Sequence, residues 1–250
     1  MYRFFVKPEQ IGGQQIQIVG ADVNHIKNVL RMKPGEKVRV SDGQKMDYFC
    51  EVESLQDEQI IVRILTASEG DTELPAEIVL YQGLPKGDKL EWIIQKSVEL
   101  GVSQVVPVAM KYSVVKIEPK KEEAKRRRWN MISESAAKQS KRLIVPEVGQ
   151  ILSYKKCIQE MAALDMVLVP YESAEGMESL RHAVSVIKPG MRIGIVIGPE
   201  GGFAEEEIEE VKAAGAVIVS LGKRILRTET AGLAMLSILM YHMEIGINQN

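Results

Sequence analysis

Two glycine-bearing bends carry the residues best suited to chemistry in this chain. The run Arg192-Ile-Gly-Ile-Val-Ile197 leads into Gly198-Pro-Glu-Gly-Gly202, and a helical pattern begins near Ala204. Glycines at a strand-to-helix turn let a ligand approach the backbone closely, and the first helical turn leaves amide donors free. Such a turn is the usual seat of a phosphate. Here Glu200, Glu205, Glu206, Glu207, Glu209 and Glu210 crowd it, with no Lys or Arg among them. These carboxylates would repel a polyphosphate, so a neutral or cationic adenosine ligand fits better. The alternative is a tight turn before a well-charged helix start.

The second bend follows Val217-Ile-Val-Ser-Leu221-Gly222. Beyond it, Lys223 to Ala231 mixes charge with Ile225 and Leu226, which reads as a loop with an apolar wall able to hold a purine ring and with polar tips. Thr228 has the residue type of an N-cap for the last helix. Two glycine turns at the carboxyl ends of consecutive strands of an α/β sheet would share the edge where ligands of such folds collect.

A third concentration is charge. From Lys111 to Arg142 there are eleven basic and four acidic residues, a local excess of +7 in a chain whose net charge is −2. The run Arg126-Arg127-Arg128 precedes a helical pattern through Trp129, Ile132 and Ala136, which leaves Lys138, Lys141 and Arg142 near its end. Basic residues there suit the negative end of the helix dipole, so a solvated face is one reading. A surface tracking RNA phosphates is the other. The overall balance excludes a histone-like coat of bulk positive charge.

The elements that must position these residues fall into two rhythms. Residues 1–70 carry short runs rich in β-branched and aromatic residues at Arg3–Val6, Gln15–Val19, Lys37–Val40, Tyr48–Val52 and Gln59–Leu65, separated by turn signals such as Pro34-Gly35 and Asp42-Gly43. This predicts a small β-barrel, interrupted by a helix capped by Asp22 with Val23, Ile26, Val29 and Leu30 on one face. The polar stretch 70–75 marks the boundary of an α/β domain over 75–250. Its expected strands are Ile78–Tyr81, Gln104–Val108, Met166–Val169, Arg192–Ile197 and Val217–Leu221, apolar enough for a parallel sheet covered on both faces.

Three helices of that domain are legible. Asp88-x-x-Glu91 predicts a capping box ahead of a stripe of Leu90, Ile93, Ile94 and Val98, ended by Gly101. Another begins near Ser173, with Met177, Leu180, Val184 and Ile187 inward. The last, Glu229 to Glu244, is apolar nearly all round, which asks for burial on both sides, by a homodimer partner or within the core.

The amino terminus lacks the apolar run of a signal peptide, and Ala231–Ile247 falls short of the ~20 residues of a spanning helix. Cys50 and Cys157 are far apart, and only His25, His182 and His242 join them, so neither a metal cluster nor a disulfide framework is expected. A cytoplasmic location fits.

Gly198-Pro-Glu-Gly-Gly-Phe203, Leu221-Gly-Lys-Arg-Ile-Leu-Arg-Thr-Glu-Thr-Ala231, Lys86-Gly-Asp-Lys-Leu-Glu91 with Glu99-Leu-Gly-Val102, Gln139-Ser-Lys-Arg142 and His25-Ile-Lys-Asn-Val-Leu-Arg31 together resemble the ribosomal RNA small subunit methyltransferase E family of the SPOUT superfamily. The resemblance implies an N-terminal PUA-like β-barrel over 1–70 and a C-terminal α/β methyltransferase domain with a trefoil knot over 75–250. It implies a homodimer, S-adenosyl-L-methionine as cofactor, and methylation of N3 of a uridine in 16S ribosomal RNA.

Carried over residue by residue, the cofactor positions are Val169, Pro170, Tyr171, Glu172, Ile197, Gly198, Pro199, Glu200, Gly201, Leu221, Gly222, Ile225 and Leu226. The expected RNA contacts are His25 and Arg31, in the segment that resembles the family's RNA-binding signature, together with Arg3 and, from the basic stretch, Arg126, Arg127, Arg128, Lys138 and Lys141. The chain departs from the pattern at Lys138, at Tyr112 before Ser113-Val-Val-Lys116, and at Ala204. For the reaction, Arg142 and Arg227 are expected to flank the uracil oxygens and stabilise the charge formed as N3 ionises, with Glu229 as proton acceptor. A non-catalytic ribosome-assembly factor would keep the basic surface and need neither glycine bend; a nucleoside-triphosphate enzyme would need a phosphate-loop lysine that the first bend lacks.

Overall fold

The computed structural model describes residues 1–115, 117–174 and 176–246, so Lys116 and Ile247 lie outside the described residues. The chain forms two compact units, 1–73 with 137–145 and 74–136 with 146–250. Residues 137–145, expected within the rear domain, therefore cluster with the first unit.

The first unit is a six-stranded sheet ordered β1-β4-β5-β6-β3-β2, made of β1 (Arg3–Phe5), β2 (Ile11–Gly12), β3 (Gln15–Val19), β4 (Lys37–Ser41), β5 (Met46–Leu55) and β6 (Gln59–Glu69). β1 pairs parallel with β4 and every other pairing is antiparallel. Alternation explains the inward face: in β3, Ile16 and Ile18 are buried while Gln15, Gln17 and Val19 face out. Irregularities at Phe49/Cys50 and Val52/Ser54 curl the long β5–β6 hairpin around a core of Phe4, Ile16, Ile18, Val38, Val40, Ile60 and Val62.

The helix expected at Asp22 is α1 (Ala21–Asn24), continued as a π-helical turn over His25–Val29. Its N-cap is Gly20 at φ 76°, so Asp22 lies inside the helix and its carboxylate instead receives the Lys138 ammonium at 2.8 Å. The extra residue of the wide turn rotates Val29 off the buried face, and it is exposed.

The second unit is a parallel sheet ordered β10-β8-β7-β12-β11-β13, with β9 also on β8. Its strands are β7 (Glu77–Gly83), β8 (Gln104–Ala109), β9 (Glu147–Val148), β10 (Leu152–Ser153), β11 (Met166–Pro170), β12 (Arg192–Ile197) and β13 (Val217–Val219). β12 is buried from Ile193 to Ile197, as a central strand covered on both faces must be.

The helices are α2 (Lys89–Glu99), α3 (Pro119–Gln139), α4 (Tyr154–Met161), α5 (Glu178–Ser185), α6 (Glu205–Ala213) and α7 (Thr228–Tyr241). The stripe of α2 is buried as read, and Gly101 sits at φ 91°. Asp88 occupies the N-cap without a side-chain bond, since its own carbonyl takes the Glu91 amide at 3.0 Å, and the Glu91 carboxylate turns to Arg128 at 2.7 Å rather than back to the cap. α5 starts at Glu178, later than Ser173, and Met177 is exposed at its N-cap. α7 buries Gly232, Met235, Leu236 and Leu239 on one side and returns from the edge strand β13 to pack on β12 and α2.

Candidate functional site

The carboxyl ends of β12, β11 and β13 open onto a cleft of about 780 Å³. The two glycine bends are not side by side, since β11 lies between their strands; Pro170, Tyr171 and Glu172 form the floor that separates them. The Tyr171 amide donates to Val219 O at 3.0 Å, and the Tyr171 and Phe203 rings meet edge to face at 6.4 Å, which ties both bends to the floor.

Every expected cofactor position except Val169 lines this cleft. Val169 is fully buried in the core of β11 and supports the floor from below. The first bend is close-packed: a Cβ on Gly198 would lie 3.1 Å from Gly202 C, and one on Gly201 would lie 2.8 Å from Tyr112 Cβ. At the second, Gly222 adopts φ 100°, a conformation that side chains disfavour, and Ile225 stands 82% exposed.

The six carboxylates do not act together. Glu200 alone of them lines the cleft. Glu206 pairs with Lys111, while buried Glu207 accepts the Lys111 amide at 2.8 Å and, reaching back from the first turn of α6, the Ala204 amide at 2.9 Å. Glu205, Glu209 and Glu210 are exposed on α6. The cleft carboxylates are instead Glu172, Glu200 and Glu229, from three separate segments.

Between two of them stands Lys89, unmarked by the sequence reading except within the Lys86–Glu91 motif. Its ammonium lies 2.9 Å from Glu200 and 3.6 Å from Glu229. Partial burial pushes the Glu200 carboxyl up, but the Lys89 ammonium and the Lys86 amide outweigh it and hold it below the ordinary carboxylate range. The same hydrogen bond, with the nearby charge of Glu229, raises the Lys89 ammonium.

Of the expected catalytic residues, Arg227 and Glu229 line the cleft and Arg142 does not. Arg227 Nη1 is 4.0 Å from Glu229 Oε1, with the Arg227 side chain largely in solvent. One Glu229 oxygen, Oε2, is buried without a hydrogen-bond donor. Thr228 is not the N-cap of α7; Arg227 is, and the Thr228 hydroxyl turns under the cleft to donate to Gly198 O at 2.6 Å. Arg142 belongs to the first unit, where its buried guanidinium is gripped by Glu73, with Nε 3.1 Å from Oε2, while Glu73 also accepts the Leu143 amide. A guanidinium so held is a buried structural ion pair.

The expected RNA contacts divide. Arg3 is buried against Asp47 at 2.9 Å. Arg126 and Arg127 share Glu123, Arg128 meets Glu91, and Lys138 meets Asp22 while lying over the Phe4 ring. His25, Arg31 and Lys141 are exposed, the last two at positive φ.

Residues 72–240 match the family model described as an RNA methyltransferase domain, and residues 18–65 match that of an RNA methyltransferase PUA domain. The ribosomal RNA small subunit methyltransferase E of Bacillus subtilis (strain 168) is 39% identical over 98% of this chain and 98% of its own length. Among solved structures, a protein described only as hypothetical superposes with a TM-score of 0.91 at 38% identity, covering 97% of this chain and 99% of its own. The ribosomal RNA small subunit methyltransferase E of Neisseria gonorrhoeae, crystallised with S-adenosyl methionine, superposes with a TM-score of 0.83 at 32% identity, covering 96% of this chain and 97% of its own. With both halves matched in order and a curated relative aligned nearly end to end, the chain belongs to the ribosomal RNA small subunit methyltransferase E family of RNA methyltransferases.

Proposed function

We propose that this chain transfers a methyl group from S-adenosyl-L-methionine to N3 of a uridine in 16S ribosomal RNA. The observation that carries the reading is the single cleft that gathers both glycine bends and three carboxylates from segments far apart in sequence. Its size lies within the range of cofactor sites, roughly 300–1,000 Å³. Its residues also fit the group: Gly198 and Gly222 leave backbone where a side chain would intrude or strain, and the apolar Ile197, Leu221, Ile225 and Leu226 offer a wall for a purine ring.

Pro170–Glu172, Ile197–Gly201 and Leu221–Leu226 would hold the donor, largely through main-chain groups, with Val169 backing the floor. When bound, the donor supplies an electrophilic methyl on a sulfonium. The chain's own task is to free the N3 lone pair, because that nitrogen keeps its proton near neutral pH. Glu229, whose Oε2 lies 3.6 Å from the Lys89 ammonium, is proposed to receive the proton, and the exposed Arg227 guanidinium to stabilise the charge that spreads onto the uracil oxygens.

The same reading makes the first unit a PUA-like barrel that docks RNA through His25, Arg31 and Lys141, and gives the second unit a trefoil knot; the return of α7 from the edge strand onto α2 supports the latter. It also gives a homodimer over the outer side of α2 and α7, where Trp92 and Tyr241 are exposed, and a cytoplasmic location. No helix among the described residues is long and apolar enough to cross a membrane.

Calorimetric titration with S-adenosylmethionine, joined to mapping of methylated nucleosides in 16S RNA from cells lacking the gene, tests the proposal. Donor binding and the loss of one N3-methyluridine are expected. A chain that ignores the donor would be an assembly factor, and loss of a different methylated nucleoside would move the chemistry to another atom.

A further inference from the structure

Beneath the cleft runs a buried polar chain that the proposed chemistry does not use. β7 is apolar from Ile78 to Tyr81 and then places Gln82, fully buried, beside Ile197 in the parallel register. Gln82 Nε2 donates to Thr228 Oγ1 at 2.8 Å and to Gly83 O at 3.1 Å. The Thr228 hydroxyl, accepting from Gln82, spends its one proton on Gly198 O at 2.6 Å. The end of β7, the turn after β12 and the first turn of α7 are joined in this way. Gln82 Oε1 is buried without a hydrogen-bond partner, so it is the amide's donor side that the arrangement uses.

The order of these groups gives the chain a direction. An amide nitrogen only donates and a carbonyl only accepts, so a hydroxyl is suited to stand between them, and the amide behind it fixes which way its proton points. The acceptor is also well chosen. Pro199 has its φ locked by its ring, so the orientation of the Gly198–Pro199 peptide depends on the soft ψ of Gly198. Holding the Gly198 carbonyl from below sets that torsion. Gly83 keeps the contact close, since a Cβ there would lie 2.6 Å from the Pro199 nitrogen.

We propose that Gln82 and Thr228 are positioning residues, which act through Gly198 to hold the first glycine bend in the shape that receives the methyl donor. This rests on the cofactor reading above. A Gln–Thr pair kept only for stability would be replaceable by two apolar residues of like shape, since removing a hydrogen-bonded pair together can be nearly neutral. A pair kept for the bend would not.

The test is donor titration, steady-state kinetics and thermal unfolding of the full-length protein with Thr228→Val, Thr228→Ser and Gln82→Met. Thr228→Val keeps the shape and removes the proton; its Kd and KM for S-adenosylmethionine are expected to rise about tenfold, the scale of one lost hydrogen bond, with kcat at saturating donor changed less than about twofold. Thr228→Ser restores the hydroxyl and should recover donor affinity to within about threefold, and Gln82→Met should fall between the two. Folded Thr228→Val that binds the donor as wild type does overturns the proposal. Should Thr228→Val fail to fold, unchanged donor affinity in Gln82→Met overturns it equally. Wild-type protein that binds no donor overturns the cofactor reading itself, which separates that failure from one confined to the relay.

Discussion

The cationic stretch of residues 111–142 and the glycine cleft are the two places where this sequence concentrates its signal, and they turn out to be built by opposite means. In the stretch, Arg126, Arg127, Arg128, Lys138 and Arg142 each meet a carboxylate, and those of Arg128, Lys138 and Arg142 come from 37, 116 and 69 residues away. Part of the local excess of charge is thereby met by carboxylates from outside the stretch. In the cleft the walls are main chain, shaped by where a Cβ cannot go. A run of like charge in a sequence therefore says little about the field it makes, because its counter-charges are remote. A glycine bend closing a strand says a good deal, because its geometry is local.

The strongest way to sharpen that contrast is Arg142→Ala. Removing one partner of a buried ion pair leaves the Glu73 carboxylate uncompensated, so unfolding in urea should show a loss of about 3–5 kcal/mol. A variant as stable as wild type would mean the guanidinium is idle in the fold.

Gly83→Ala comes next. Its Cβ meets Pro199 backbone, which cannot swing aside, and a cost of about 1–3 kcal/mol together with weakened donor binding is expected. Full donor affinity in this variant would break the claim that the cleft's shape resides in its main chain.

Lys89→Met probes an ion pair on the cleft wall, where charge rather than main chain does the holding. Glu200 has a depressed folded value, so its contribution is present above the ordinary 4.5 and is lost as pH falls through the lower folded one. Lys89 is raised, so its contribution is full below the ordinary 10.5 and is lost as pH rises through the higher folded one. The difference in thermal midpoint between wild type and variant should be flat through neutrality and shrink toward both extremes. A difference that peaks near pH 7 would assign the effect to another group.

Arg127→Ala should be the mildest. The side chain is largely exposed and shares Glu123 with Arg126, so the thermal midpoint should not move measurably. If the residue touches an RNA phosphate, the log–log salt dependence of binding should become shallower by about 0.7–0.9. An unchanged slope would leave it a solvated cation paired within its own helix.

What the residues disclosed in advance follows the same division. β3 and β12 begin and end where alternation and the apolar run place them, and both glycine bends reach one cleft. Local rules also name a partner wrongly when a remote one competes. Asp88-x-x-Glu91 has the spacing of a capping box, but Glu91 bonds Arg128; Asp22 has the type of a cap, but Gly20 takes that position and Lys138 takes the carboxylate. Lys89 and Gln82 carried no motif of their own. A lysine opening a helix and a glutamine closing an apolar strand become informative only once the parallel order of β7 and β12 brings them to the glycine bend.

The return of residues 137–145 to the first unit bears on any attempt to dissect this protein. A chain cut after Glu73 would give a carboxyl-terminal fragment still carrying Arg142, Leu143 and Lys138, stripped of Glu73, of the Ser41 hydroxyl that donates to Leu143 O, and of Asp22. The amino-terminal fragment would lose the same bonds from the other side. Neither piece is a self-sufficient module, and a phenotype measured on either would report an orphaned splice rather than the work of a domain.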